Sequence, residues 1–299
     1  MNIEKVLNND RMLRAVLGIN RKEFEALLLT FTQILLEEKK KTERKRRIGG
    51  GSNGNIKDPK KKLFYILWYV KVYPTFDVAA YVFASSKTRT HVWTHTLLPF
   101  LEKTLKREVV LPERQLKSVE DFHLLFPDVQ EVMIDGVERP TIRSKKNKVQ
   151  KKHYSGKKKR HMRKNVIVAD KKKRILVCTP SKAGTYHDKK MSDKAIIVSR
   201  IPEDVGILGD TGFIGIQKQH NNVLLPKKRS KHNPLTLLDR EMNRMISGVR
   251  VAVEHAIGGM KRYGAVSDIY RNKNGFDDIL TRTCAGLWNY HLKAKDGLI

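Results

Sequence analysis

Val132-Met133-Ile134-Asp135-Gly136 and Val205-Gly206-Ile207-Leu208-Gly209-Asp210 are the two stretches from which the fold is read. Each is a short apolar run that reaches a carboxylate. Such a run reads as a buried strand. Aspartate is disfavoured in strands, so its appearance at two strand ends calls for a reason. Open α/β sheets place their sites at strand ends. Turn chemistry is the plainer account: Asp135-Gly136 would serve as a hairpin turn, and Asp210-Thr211-Gly212 as the start of another.

The surrounding pattern extends the sheet. Residues 166–169 and 175–178 predict two strands joined by a basic turn, which is a hairpin. Residues 187–197 predict a helix and 223–226 a short strand. Helices are expected over 240–263 and 276–291. Strands first, then strands alternating with helices, imply an α/β core with a mixed sheet.

The N-terminal part is helical by pattern. Residues 3–17 predict one short helix. Asn20 and Glu23 have the spacing of a capping box. Phe24, Leu27, Leu28, Phe31 and Leu35 follow at helical intervals. The helix frays into the charged stretch 37–47, and the glycine-rich stretch 48–57 reads as a linker. Asp58 can cap a helix that Pro59 opens and that ends before Pro74. Thr75 can cap a second, over 76–83. A third is expected from Lys87 to about Leu98, stopped by Pro99. Two short helices with a tight turn, behind a supporting helix, predict a helix-turn-helix. Lys87, Thr88, Arg89, His91 and Thr94 would face phosphates and base edges. A plain three-helix bundle with a solvated basic face remains open. The expected organisation is a helical segment 1–47, the linker 48–57, a DNA-binding region 58–110 and an α/β domain 128–292.

Composition narrows the function. The 299-residue chain carries a net charge of +30 and a pI near 10.1. Such an excess repels itself unless a polyanion neutralises it, and nucleic acid is the natural one. No apolar run approaches the roughly 18 residues of a membrane span, and residues 1–5 show no secretory segment. The two cysteines, Cys178 and Cys284, form no metal pattern, which favours a reducing cytoplasm. Residues 143–174 hold 16 Lys or Arg and a single acid, Asp170. The run precedes a sheet strand, so it is expected as a loop of the core that brings cations to phosphates. Tyr154 would stack on a base, beside Lys157, Lys158, Arg160 and His161.

A third acid stands on the helix over 240–263. Ile246, Val249, Val253, Ile257 and Met260 share one face; Arg250, Glu254 and Lys261 share another. By itself this is equally a surface ion-pair row. If that face packs over the strand ends, three carboxylates converge. Oxygen-only ligation suits Mg²⁺ or Mn²⁺, and two ions would activate a nucleophile and stabilise a leaving oxygen.

These stretches together resemble the Asp-Asp-Glu (DDE) transposases of bacterial insertion sequences, closest to the insertion-sequence-five group. The resemblance is carried by 134–140, by Tyr154-Ser155-Gly156 through His161, and by Lys164-Asn165 and His187-Asp188-Lys189. It continues through Gly209-Asp210-Thr211-Gly212-Phe213, Leu225-Pro226-Lys227-Lys228, 250–258 and 284–289. It implies a ribonuclease-H-like core behind the helix-turn-helix, with Asp135, Asp210 and Glu254 binding two Mg²⁺. Arg250, Glu254 and Lys261 fit a Tyr-x2-Arg-x3-Glu-x6-Lys signature whose tyrosine position is Ser247 here. Arg250 and Lys261 would then grip phosphates. Asp188 is expected to cap its helix. The implied activity is cutting at terminal inverted repeats and joining of the freed 3′-hydroxyl to target DNA. A homodimer holding two DNA ends in the nucleoid-associated cytoplasm is expected, with no membrane and no small-molecule cofactor. The rivals are a nuclease of the same fold that cuts without joining, and a DNA-binding protein that has lost catalysis.

Overall fold

A computed structural model describes residues 1–41, 55–230, 234–272 and 275–299. The expected linker glycines, and the charged stretch from residue 42 onward, lie outside the described residues. In chain order the elements are α1 (Ile3–Leu7), α2 (Asp10–Leu17), α3 (Arg21–Lys41), α4 (Pro59–Val72), α5 (Phe76–Val82), α6 (Lys87–Arg107) and α7 (Val119–Leu125). Then come β1 (Glu131–Pro140), α8 (Asn147–His153), β2 (Tyr154–Ser155), β3 (Arg160–Asp170), β4 (Ile175–Cys178), β5 (Lys182–Ala183) and α9 (Asp188–Lys194). The chain ends with β6 (Gly206–Gly209), β7 (Val223–Leu224), α10 (Leu237–Lys261), α11 (Gly264–Ser267) and α12 (Phe276–Lys295). Two compact units result. One is 1–111 with 260–268 and 279–299; the other is 112–259 with 269–278.

The first unit is helical. Its starts follow from side-chain caps. Asn20 and Glu23 form the reciprocal box, at 2.7 and 2.9 Å. Asp58 accepts from Lys61 N, with Pro59 in the first turn. Thr75 accepts from Val78 N, and Ser86 from Arg89 N. Residues 3–17 form two helices and not one. Asn9 breaks the run, because its side chain accepts from Met12 N and starts α2. Pro99 does not end α6, which runs on to Arg107. An interior proline costs about 3 kcal/mol. Leu97, Leu98, Leu101 and Leu105 are buried on both sides of it, and burying each leucine contributes about 1.5–3 kcal/mol. Packing therefore outweighs the break. α4 is buried almost all round: Leu63 to Val70 are all at most 5% exposed.

The second unit is the mixed α/β part. β3 is its long central strand. It pairs antiparallel with β1 along one edge and with β4, β5 and β2 in turn along the other. β6 adds parallel to β1, and β7 parallel to β6. The hairpin of β3 and β4 is as the sequence predicts, with Ile167 opposite Cys178. Ile134, Val166, Val168, Ile207, Phe213 and Ile216 form the core with Met191 and Ile197 from the α9 segment. The basic run 143–174 is not one loop: it forms α8 and β2, and supplies the whole of β3. A residue whose alternate neighbours are buried, such as Val166 and Val168, gains more from pairing than from solvation.

Ile207 is fully buried in the strand that lies between β1 and β7. Replacing it with alanine removes three carbons from a packed core. Ile207→Ala should lower stability by about 2–5 kcal/mol, read as a shift of the urea unfolding midpoint with unchanged slope.

Candidate functional site

β1 does not stop at Asp135, nor does Asp135-Gly136 turn. The strand carries on to Pro140 against β3, with Asp135 opposite Ile167. The other edge of β1 is what ends there. Its parallel pairing with β6 runs from Glu131–Gly206 to Ile134–Gly209. The next residue on each strand is an aspartate. Register alone therefore sets Asp135 beside Asp210, on strands about 4.8 Å apart. Asp210 also begins a turn, as the plainer account had it, since its Oδ1 accepts from Gly212 N. Gly209, just before Asp210, is closely packed: a Cβ there would stand 2.8 Å from Leu225 Cδ2 and 3.1 Å from Ile134 Cγ2, so both side chains would have to shift.

Asp135 is largely enclosed. Its Oδ1 accepts from Gly136 N at 2.7 Å, and its Oδ2 lies 3.3 Å from Arg250 Nη2. Burial raises its pKa most; the Gly136 bond and Arg250 oppose this, and the charges of Asp210 and Asp188 add to it. Arg250 thus reaches the strand ends from α10, as the sequence reading required of that helix. Glu254 stands one turn further, about 6 Å along the axis, and is exposed. Among the described residues no three His, Cys, Asp or Glu side chains converge to hold a metal. The acid that does lie beside the two aspartates is Asp188. Its expected capping role is corrected: it is the first residue of α9, behind His187 at the cap position. Its Oδ1 is 3.1 Å from Lys164 Nζ, which also pairs with Glu138 at 3.3 Å.

The donors suit a hard divalent cation. They are carboxylate oxygens throughout, although the enclosed Asp188 Oδ1 already faces Lys164 Nζ. Burial, more than the nearby charges, is what disfavours the ionised form of Asp135.

The expected DNA-contacting residues fall in three places. Lys87, Thr88, Arg89 and His91 are exposed in the first turns of α6. Lys87 pairs with Asp77 at 2.9 Å, and His91 packs on Phe76 and His95 at 5.0 and 4.2 Å. Burial, then the charge of His91, lowers the His95 pKa, which favours its neutral form. Thr94 is corrected: it is fully buried, with its hydroxyl against Tyr65 Oη and Thr90 O. Tyr154, Lys157, Lys158 and Arg160 are exposed around the turn from β2 to β3, and His161 is half-buried against Tyr154. Lys261 is exposed at the end of α10. No helix among the described residues is long and apolar enough to cross a membrane.

A family model described as "DDE superfamily endonuclease" matches residues 134–289, the stretch that holds Asp135, Asp188, Asp210 and Glu254. The chain is also 30% identical over 164 residues to a protein of Microchaete diplosiphon, "Probable transposase for insertion sequence element IS702". That match takes in 55% of this chain and 58% of the relative's length. No solved structure gives a significant match.

The Asp135 environment has a measurable sign. A carboxyl whose pKa is raised by folding stabilises the fold while protonated, and loses that contribution as pH rises through the folded value. At neutral pH the ionised group is therefore a net cost. Asp135→Asn should melt higher than the unsubstituted protein at neutral pH in metal-free buffer. The difference should close as pH falls through the carboxylate range, in thermal melts followed by circular dichroism.

Proposed function

Because the chain belongs to the DDE superfamily endonuclease family, we propose that it is a DNA transposase that cuts phosphodiester bonds at element ends and joins the freed 3′-hydroxyl to target DNA. The observation that carries this reading is the parallel register that sets Asp135 beside Asp210 inside the matched stretch. The sheet is read as a ribonuclease-H-like core, and α5 with α6 as a helix-turn-helix that recognises terminal inverted repeats. The domain reading keeps 58–110 as the recognition region and 128–292 as the catalytic one, with 48–57 as the linker after the segment 1–47. Two protomers would hold two ends.

In this reading Asp135, Asp210 and Glu254 hold two Mg²⁺, with Mn²⁺ able to replace it. Bound divalent ions supply activation of the attacking oxygen and stabilisation of the leaving oxygen. The protein's own groups do the rest. Arg250 meets a phosphate of the transposon end, where a guanidinium fits two phosphate oxygens at once. Its Nε is buried with no hydrogen-bond partner, so donor capacity is left for an anion. Lys261 grips the backbone further along α10. Lys87, Thr88, Arg89 and His91 approach the groove from α6. Tyr154 stacks on a base, while Lys157, Lys158, Arg160 and His161 contact phosphates from the β2–β3 turn. The exposure of Tyr154, Lys157, Lys158 and Arg160 supports that role.

One observation favours a second reading. No three acids converge among the described residues, as expected of a DNA-binding relative without catalysis. The deciding assay is Mg²⁺-dependent cleavage of a duplex carrying the element's own end. The wild type should cut, whereas Asp135→Asn and Glu254→Gln should bind but leave the duplex intact. Binding without cutting by all three would move the conclusion to the second reading. Separately, Lys157→Ala with Lys158→Ala should weaken DNA binding and lower the salt slope by about 1.8, at about 0.9 per phosphate contact. An unchanged slope would remove both lysines from the interface.

A further inference from the structure

We infer that the helical unit carries a nucleotide-binding site of its own: a cavity between α3, α4 and α6 that takes a base against Trp93 and its phosphate on Lys39 and Lys62. That the nucleotide comes from a DNA strand rests on the reading of α6 as the recognition helix.

The cavity has a volume of about 320 Å³, within the usual range for small-ligand sites. Its wall is apolar and aromatic: Leu35 from α3, then Ile56, and Trp93, Leu97 and Phe100 from α6. Leu35, Ile56 and Leu97 are buried, whereas Trp93 and Phe100 are only partly covered. Trp93 is braced by the core, with the ring of Tyr65 edge-on at 5.4 Å and 78°. An indole held in place offers a stacking surface, and every base has a π-face to lay on it.

Two lysines give the wall its sign. Lys39 and Lys62 both line the cavity, and both are partly buried. Burial, then the charge of Lys39, lowers the Lys62 pKa, with Asp58 opposing. Asp58 caps α4 and pairs with Lys61. Glu38 also lines the cavity, but Lys103 holds it at 3.0 Å. Among the described residues no carboxylate pairs with Lys39 or Lys62. Two ammonium groups that repel each other while partly desolvated raise the energy of the empty protein, and an anion between them would offset that. Residues 42–54 hold four cations and one acid, the wrong sign to supply it. A purely apolar ligand would leave the charges unanswered, and a bare phosphate would leave the aromatic wall unused. A nucleotide answers both.

The rim belongs to the side of α6 that carries Arg89. Arg89, Val92 and Thr96 share one exposed face, at i, i+3 and i+7, and Val92 and Thr96 also line the cavity. A strand followed along α6 from Arg89 reaches the cavity within about two turns.

The test is binding of adenosine monophosphate, adenosine and inorganic phosphate to the full chain by isothermal titration calorimetry. The same proteins are then titrated with two labelled duplexes, one fully paired and one with a single unpaired adenine. Wild type should bind the monophosphate more tightly than adenosine, and inorganic phosphate most weakly. Lys62→Met should weaken the monophosphate about tenfold, as for one charge-assisted contact, and leave adenosine unchanged. Lys39→Met should repeat that result. Trp93→Leu should weaken adenosine and its monophosphate by a similar factor. Lys62→Met should melt no lower than wild type, because it removes a partly buried charge, so its loss of binding is not unfolding. With a DNA strand as the source, Lys62→Met and Trp93→Leu lose affinity for the duplex with the unpaired adenine and keep it for the paired one. Loss on the monophosphate alone assigns the site to a free nucleotide. Variants that match wild type on the monophosphate and on the unpaired duplex alike would overturn the proposal. Nucleotide binding that depends on Lys62 and Trp93, in a chain that binds neither duplex, would sink the recognition-helix reading and leave the site standing.

Discussion

Parallel pairing of two buried strands forces two carboxylates together. The β1–β6 ladder stops at Ile134 and Gly209, and the next residue on each strand is an aspartate. Two like charges on neighbouring strands repel one another, and partial burial strengthens the repulsion by lowering the local dielectric. The arrangement persists because the ladder is held from both sides. Ile134, Ile207 and Val168 are fully buried, and the apolar area they remove from water outweighs the local cost. Much of what surrounds the strand ends answers that constraint: Arg250 on Asp135, Lys164 between Glu138 and Asp188, and glycine at 136, 209 and 212.

The chain thus sets a small acidic centre within a strongly basic whole. A net charge of +30 would swamp a few carboxylates if the cations stood among them. The fold keeps most of them elsewhere. The exposed lysines of the β2–β3 turn sit at the far end of β3 from Asp170, and Lys171, Lys172 and Arg174 are tied to Glu131, Asp128 and Asp170 at the other. Arg250 pairs with Asp135, and Lys164 with Glu138 and Asp188. An anionic polymer would find positive charge along its approach and negative charge at one spot.

Arg250 and Glu254 illustrate a division of labour along one helix. Both lie on the same face of α10, one turn apart. The arginine is drawn in by Asp135, while the glutamate stays in solvent. In the proposed function the same guanidinium has a phosphate to meet, so the acid it now touches and the anion it would bind compete for one side chain. Coupling between the acidic centre and its substrate then needs no distant pathway, because a single shared group carries it.

The sequence alone was enough for what depends on neighbours in the chain. Caps at Asn20, Asp58 and Thr75 could be read because a cap is a bond across three residues. The β3–β4 hairpin and the polar row Arg250, Glu254, Lys261 were legible in the same way, as periodicity. What lay out of reach was everything set by contact across the chain. Pro99 looked like a stop because its cost is local, while the leucines that overrule it act through the core. Thr94 looked like a groove-facing hydroxyl until Tyr65 closed over it. Asp135 looked like a strand end because only one of its two edges ends, and a strand's pairing on each side is not written in its own residues. Asp188 carried no signal beyond its motif. Its place beside Gly136 and Gly212 is decided by how α9 packs on the sheet, an arrangement of surfaces that no spacing in the sequence encodes.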